Sequence, residues 1–158
     1  MARIKVIPLI ASIGVCFSAA ALGSAFTISA IDTWYTTLQK PFFNPPNWIF
    51  GPVWTLLYLL MGISLYLVWV TKTDKKEKRQ GIIFFFVQLA LNVLWSIIFF
   101  GLKSPSVAFV EIIFLWIAIF LTTKNFLQVS KSAGWLLIPY LVWVSFASIL
   151  NLSVAIMN

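Results

Sequence analysis

Apolar residues in this chain come in long runs rather than in short alternating patches. Five runs stand out, at Val6–Ala30, Gly51–Val70, Gln80–Gly101, Ser106–Lys124 and Gly134–Met157. Each is about 20 residues long, the length a helix needs to cross the hydrocarbon core of a bilayer. A barrel strand would instead alternate apolar and polar positions over about ten residues. The pattern predicts five membrane-spanning helices. Three runs carry a finer period. Trp54, Tyr58, Met61 and Leu65 recur at helical spacing in the second. Gln88, Asn92, Trp95 and Phe99 do so in the third, and Tyr140, Trp143, Ala147 and Asn151 in the fifth, with Leu150 beside them. If these stripes converge, they wall a cavity of aromatics with sparse polar groups, the usual makeup of a small-molecule pocket. Plain helix packing produces the same spacing. Gln88, Asn92 and Asn151 suit either role, since amides inside a bilayer face the bundle and need partners.

The connection between the first two runs breaks the pattern. It covers 20 residues, Ile31 to Phe50, and reads IDTWYTTLQKPFFNPPNWIF. Helix connections of that length are uncommon and usually functional. Pro41, Pro45 and Pro46 stiffen it by fixing φ and restricting their neighbours. Trp34, Tyr35, Phe42, Phe43, Trp48 and Phe50 give it apolar surface that favours the bilayer interface or a protein surface. The expectation is a stiff lid over the bundle. Gly51-Pro52 reads as the start of the second helix, and Pro139 predicts a kink near the start of the fifth.

Composition settles the class. Of 158 residues, 61% are hydrophobic and only 9% charged, more apolar surface than a soluble domain of this size can bury. The chain reads as one integral membrane domain, residues 1–158. The net charge of +7 is unevenly spread. Lys72, Lys75, Lys76, Lys78 and Arg79 crowd the second link. With five spans, that link shares a side with Arg3, Lys5, Lys124 and Lys131, against only Lys40 and Lys103 on the other side. The positive-inside rule places the N-terminus in the cytoplasm and the C-terminus outside. The basic run reads as a topology signal with access to anionic lipid headgroups, and nucleic acid is not an expected partner. The first run resembles a cleaved leader at its start, but its apolarity continues through Ile31, which favours a retained span.

Little enzymatic chemistry is on offer. The chain has no His, the commonest metal ligand and general base, and His-ligated haem is excluded. Cys16 stands alone, so neither an internal disulfide nor a CxxC metal pair exists. No metal site is expected. Glu111 is the one acid well inside a span. A carboxylate at mid-membrane costs roughly 2.5–3.5 kcal/mol on insertion scales, so Glu111 reads either as a ligand or ion contact or as a structural residue at shallow depth. The first span is rich in small residues, with Ala19/Gly23 and Ala21/Ala25 four apart. Such spacing lets helices approach closely, within one chain or across a homodimer.

The segment WYTTLQKPFFNPPNWIFGPVWTLLYLLMG, Trp34 to Gly62, resembles the signature of the tryptophan-rich sensory protein/translocator protein family, also called the peripheral benzodiazepine receptor family. QLALNVLW at Gln88–Trp95 and PYLVWVSFASILN at Pro139–Asn151 match its third and fifth helices, so the resemblance covers essentially the whole chain. It implies five membrane helices with a pocket under the first long loop. It implies porphyrins, protoporphyrin IX above all, and drug-like benzodiazepine or isoquinoline-carboxamide compounds as ligands, with cholesterol in some members. It also implies a bacterial role in tetrapyrrole-linked stress, with light- and oxygen-dependent porphyrin breakdown in some members. Trp54 and Trp143 match the two tryptophans tied to that breakdown. Asn92, Trp95, Ala147 and Leu150 match pocket positions, and Pro45, Pro46 and Trp48 match the loop. The basic residue of the animal sterol motif is missing, since no Lys or Arg follows Lys131.

The expectation is therefore a porphyrin-binding protein of the bacterial plasma membrane, engaged in tetrapyrrole sensing or scavenging. Its catalysis is left open, because it has no nucleophile–base constellation and needs no cofactor. The alternative is a transporter of porphyrins or other lipophiles, for which Glu111 is the available acid. The expected ligand site comprises Trp34, Pro45, Pro46, Trp48, Trp54, Tyr58, Gln88, Asn92, Trp95, Glu111, Tyr140, Trp143, Ala147, Leu150 and Asn151. Expected partners are membrane lipid and a second copy of the chain, through small-residue helix faces.

Overall fold

A computed structural model describes residues 5–158; Arg3, counted in the charge bias, lies outside them. Helix α1 spans Val6–Ile31, the short α2 Trp34–Thr37, α3 Asn47–Val70, α4 Lys76–Ser96, α5 Pro105–Val129 and α6 Lys131–Met157. A π-helical turn, Ile97–Gly101, continues α4. Five of these helices are long and apolar enough to cross a membrane. Together they make the chain an all-α membrane protein.

The helices outrun the apolar segments. α4 starts four residues before Gln80, α5 continues past Lys124 to Val129, and α6 starts at Lys131. An apolar run marks the bilayer's thickness, and nothing at its edge stops backbone hydrogen bonding. α3 likewise begins at Asn47 rather than Gly51, so Pro52 sits inside the helix. α6 is helical on both sides of Pro139. The α5–α6 link shrinks to Ser130, whose hydroxyl accepts the Ala133 N–H at 3.4 Å. Gly134 is needed there, because a Cβ would collide with Leu127.

The five long helices close into a ring in the order α1, α3, α6, α5, α4. Charged side chains finish the helices at one end of it. Lys78 Nζ donates to the Trp69 and Thr71 carbonyls at the end of α3, and Lys75 Nζ to the Gln128 carbonyl of α5. These cations meet unsatisfied carbonyls and the negative ends of helix dipoles. Exposed Trp69 and Trp135 mark this basic end, and exposed Phe42 and Trp48 the opposite one, like aromatic belts at two interfaces.

Packing is tight toward the basic end. Phe85 stacks on Phe126 at 5.8 Å, and Met61, Leu65, Val68 and Leu137 are buried around them. Ser64 Oγ donates to the Ala133 carbonyl at 2.7 Å, joining α3 to α6. α1 lies against α3 where Gly62 faces the backbone of Ile13, and a Cβ there would stand 2.8 Å from the Ile13 Cα. Gly62→Ala is expected to destabilise the bundle by about 1–3 kcal/mol, since a rigid backbone cannot yield to the added methyl. Loss of helicity on titration with SDS would measure it; an unchanged midpoint would show that α1 shifts freely.

Candidate functional site

Toward the other end the ring does not fill. A cavity of about 520 Å³ opens there, within the range of small-molecule sites. The stripes of the second, third and fifth runs divide across its floor. Trp54 and Tyr58, Asn92, Trp95 and Phe99, and Trp143, Ala147, Leu150 and Asn151 line the cavity. Met61, Leu65, Gln88 and Tyr140 lie buried outside its lining. No charged side chain lines it.

Hydrogen bonds hold this wall. Tyr58 donates to Asn92 Oδ1 at 2.5 Å, Asn92 Nδ2 to the Tyr140 hydroxyl at 2.8 Å, and Tyr140 to Gln88 Oε1 at 2.9 Å. Gln88 Nε2 then reaches Met61 Sδ at 3.9 Å. The amides thus pin α3, α4 and α6 together, while Asn92 also faces the cavity. Asn151 makes a second junction. It accepts the Trp95 indole N–H at 3.0 Å and donates to the Pro105 carbonyl at 2.7 Å, joining α6 to α4 and α5. Trp95 and Trp116 both donate through their indole nitrogens, Trp116 to Ser145 at 2.7 Å. The indole N–H groups of Trp54 and Trp143, both cavity-lining residues, have no protein partner among the described residues.

The rings pack in separate groups. Trp54 lies 5.7 Å from Tyr58 and 6.2 Å from Tyr140, Phe50 lies 6.2 Å from Trp143, and Trp95 stacks on Phe99 at 4.8 Å. The π-turn matters here. It carries Phe99 and Phe100, both buried, with ring centroids 4.9 Å apart. Tyr35 of the connection packs on both rings and lines the cavity itself.

The rest of the connection is ordered by its own polar contacts. Tyr35 donates to Asn44 Oδ1 at 2.7 Å, and burial pushes its phenol up to about 12, so this donor persists well above neutral pH. Lys40 Nζ donates to the Tyr35 and Leu38 carbonyls and stands 4.8 Å over the Tyr35 ring. Asn158 accepts from the Gln39 N–H and donates to the Gln39 carbonyl, both at 3.0 Å.

Several expected residues lie away from the cavity lining. Trp34 packs on Phe99 at 5.7 Å. Pro46 precedes α3 as its N-cap, the Pro45 carbonyl accepts from Asn44 Nδ2, and Trp48 is 74% exposed. Glu111 is buried on α5, both its oxygens without a hydrogen-bond partner among the described residues. The sequence reading missed α1 as a wall. Phe17, Ala20, Ala21, Gly23, Ser24 and Thr27 all line the cavity. Their concentration of small side chains was the available signal, since small residues leave room beside a ligand as readily as beside a helix. Ala19 and Gly23 are buried, Gly23 against Ser96 of α4, whereas Ala21 and Ala25 are exposed.

This geometry defines an all-helical integral membrane protein with an apolar, aromatic-walled cavity between its spans. The chain belongs to the TspO/MBR family, whose model matches residues 12–157. It is 46% identical over 154 residues to the tryptophan-rich protein TspO of Chlorobaculum tepidum, covering 98% of each chain. It is 47% identical over 156 residues to the protein of the same name from Archaeoglobus fulgidus, covering 98% of this chain and 99% of that one. The human translocator protein is 41% identical over 131 residues, 82% of this chain and 78% of the human one.

Asn151→Leu keeps the branched outline but leaves the Trp95 N–H without its acceptor and removes the bridge to the Pro105 carbonyl. It is expected to lower stability by about 1–3 kcal/mol, read from the same SDS titration. An effect near zero would mean that neither group depends on Asn151.

Proposed function

We propose that the chain binds flat lipophilic ligands, protoporphyrin IX among them, in this cavity, and serves tetrapyrrole sensing or scavenging. The observation that carries the reading is the wall itself: three tryptophans, Tyr35, Tyr58 and Phe99 around about 520 Å³ with no charged side chain. Aromatic faces suit a planar macrocycle, each offset contact adding about 0.5–1.5 kcal/mol beyond area burial. The free indole N–H groups of Trp54 and Trp143 suit ligand acceptors. A ligand's carboxylates would stay outside this uncharged wall, near Lys40 at the connection end. In this reading the connection acts as the lid, with Tyr35 its contact to the ligand.

Light-dependent breakdown of the bound porphyrin belongs to the same proposal. Excited porphyrin and molecular oxygen supply the oxidation, while Trp54 and Trp143 hold the macrocycle or donate electrons to it. The proposed setting is a bacterial plasma membrane, with the basic end in the cytoplasm as the charge bias favours. The exposed α1 surface around Ala25, outside the cavity lining, is available to a second copy.

Titration of protoporphyrin IX into the purified protein in the dark, followed by tryptophan fluorescence, tests the binding. Saturable quenching is expected, with affinity lowered about 3- to 10-fold in Trp143→Phe through loss of one donor and part of the ring. Linear quenching that ignores the substitution would sink the proposal. Under light and oxygen, porphyrin absorbance should decay faster with protein than in detergent alone, and more slowly again in Trp54→Phe. Equal decay with and without protein would remove the photochemical part.

A further inference from the structure

We infer that Met61, Gln88 and Tyr140, none of them in the cavity lining, lock Tyr58 as a hydrogen-bond acceptor, so the cavity favours flat ligands that bring an N–H or O–H to it. The inference rests on the reading of the cavity as a site for flat lipophiles.

The direction of the chain beneath the cavity follows from its last member. A thioether sulfur accepts and never donates. Gln88 must therefore turn its NH₂ toward Met61, 3.9 Å away, and its carbonyl oxygen toward Tyr140. Tyr140 must donate to that oxygen, at 2.9 Å, so its own oxygen is left to accept from Asn92 Nδ2 at 2.8 Å. Asn92 then shows its carbonyl oxygen to Tyr58, whose proton is committed to it at 2.5 Å. Met61 and Tyr140 are fully buried and Gln88 nearly so, so water does not reach in to reverse the order.

Tyr58 lines the cavity with its only proton spent. It has lone pairs alone to offer there. A ligand donor meets an acceptor, and a ligand acceptor meets another acceptor. Asn92 keeps its second amide N–H, and Trp54 and Trp143 their indole N–H groups, whichever way the chain runs, so these donors cancel when variants are compared.

Removing the lock should release Tyr58. In Gln88→Met, Tyr140 loses the acceptor for its proton. A buried unpaired donor is costly, and a flip of Asn92 repairs it. Asn92 Oδ1 then accepts from Tyr140, Asn92 Nδ2 donates to Tyr58, and the Tyr58 proton turns to the cavity. In Met61→Leu, Gln88 has no reason to prefer either orientation, and the chain runs both ways.

Carbazole and dibenzofuran are flat tricycles of one outline, with an N–H in the first and a ring oxygen in the second. Their saturable binding to protein in nanodiscs, by equilibrium dialysis with empty nanodiscs subtracted, reads the lock directly. The native protein should favour carbazole over dibenzofuran about 3- to 10-fold more than Tyr58→Phe does, the worth of one hydrogen bond. Gln88→Met should abolish or invert that gain, and Met61→Leu should give an intermediate ratio. Met61→Leu conserves volume and is the safer variant for folding. A native ratio equal to that of Tyr58→Phe, or a ratio unmoved by both Gln88→Met and Met61→Leu, overturns the inference and leaves the lipophile site standing. Saturable binding of neither tricycle overturns the lipophile site, and the inference with it.

Discussion

Hydrocarbon offers no hydrogen-bond partner, and that constraint governs this bundle. A polar group brought into the membrane is costly unless the protein itself meets it, and Glu111 is an exception among the described residues. Gln88, Asn92, Tyr58, Tyr140 and Asn151 meet the requirement by bonding across helices. Their bonds fix the azimuth of α3, α4 and α6 about their own axes, since a rotation of one helix would break several at once. The aromatic stripes face inward for the same reason. Each stripe carries at least one group that only the interior can satisfy.

The same bonds explain where the cavity lies. Toward the basic end of the interhelical network, Phe85, Phe126, Met61 and Leu137 fill the ring. Toward the connection end, tryptophans stand where those residues stood, but Trp54, Trp95 and Trp143 are all only half-buried. Large rings held apart by Asn151 and by the Phe99–Phe100 pair cannot collapse onto one another. α1 completes this end with Ala20, Ala21, Gly23 and Ser24, too short to reach across. The open space follows from pairing long side chains on three helices with short ones on the fourth.

The fold was largely legible, because a run of about 20 apolar residues has one common explanation. The helix ends were not, since the signal records where the bilayer stops while the helix continues into charged residues such as Lys76 and Lys131. The stripes were legible as faces. Spacing gives the side of a helix and says nothing of depth, so Trp54 and Tyr58 could not be told from Met61, nor Asn92 from Gln88. The π-turn left no mark in the sequence. The connection was read as stiff from its prolines. Tyr35, the residue through which it reaches the cavity, was hidden among its other aromatics, because only the Asn44 bond and the Phe99–Phe100 platform single it out.

That connection is held from both sides. Tyr35 sits on the end of α4, Phe43 packs 6.3 Å from Phe146 of α6, and Asn158 satisfies both backbone groups of Gln39. The last pairing imitates one rung of a sheet with a side chain, and it ties the connection to the far end of α6. Its members are exposed, so the bonds compete with water and are individually weak. The aromatic contacts of Tyr35 are buried and do not face that competition. The connection is thus firm at Tyr35 and loosely tied at Gln39. A ligand that needs the connection to move would therefore break the Gln39–Asn158 pair far more readily than it would unseat Tyr35.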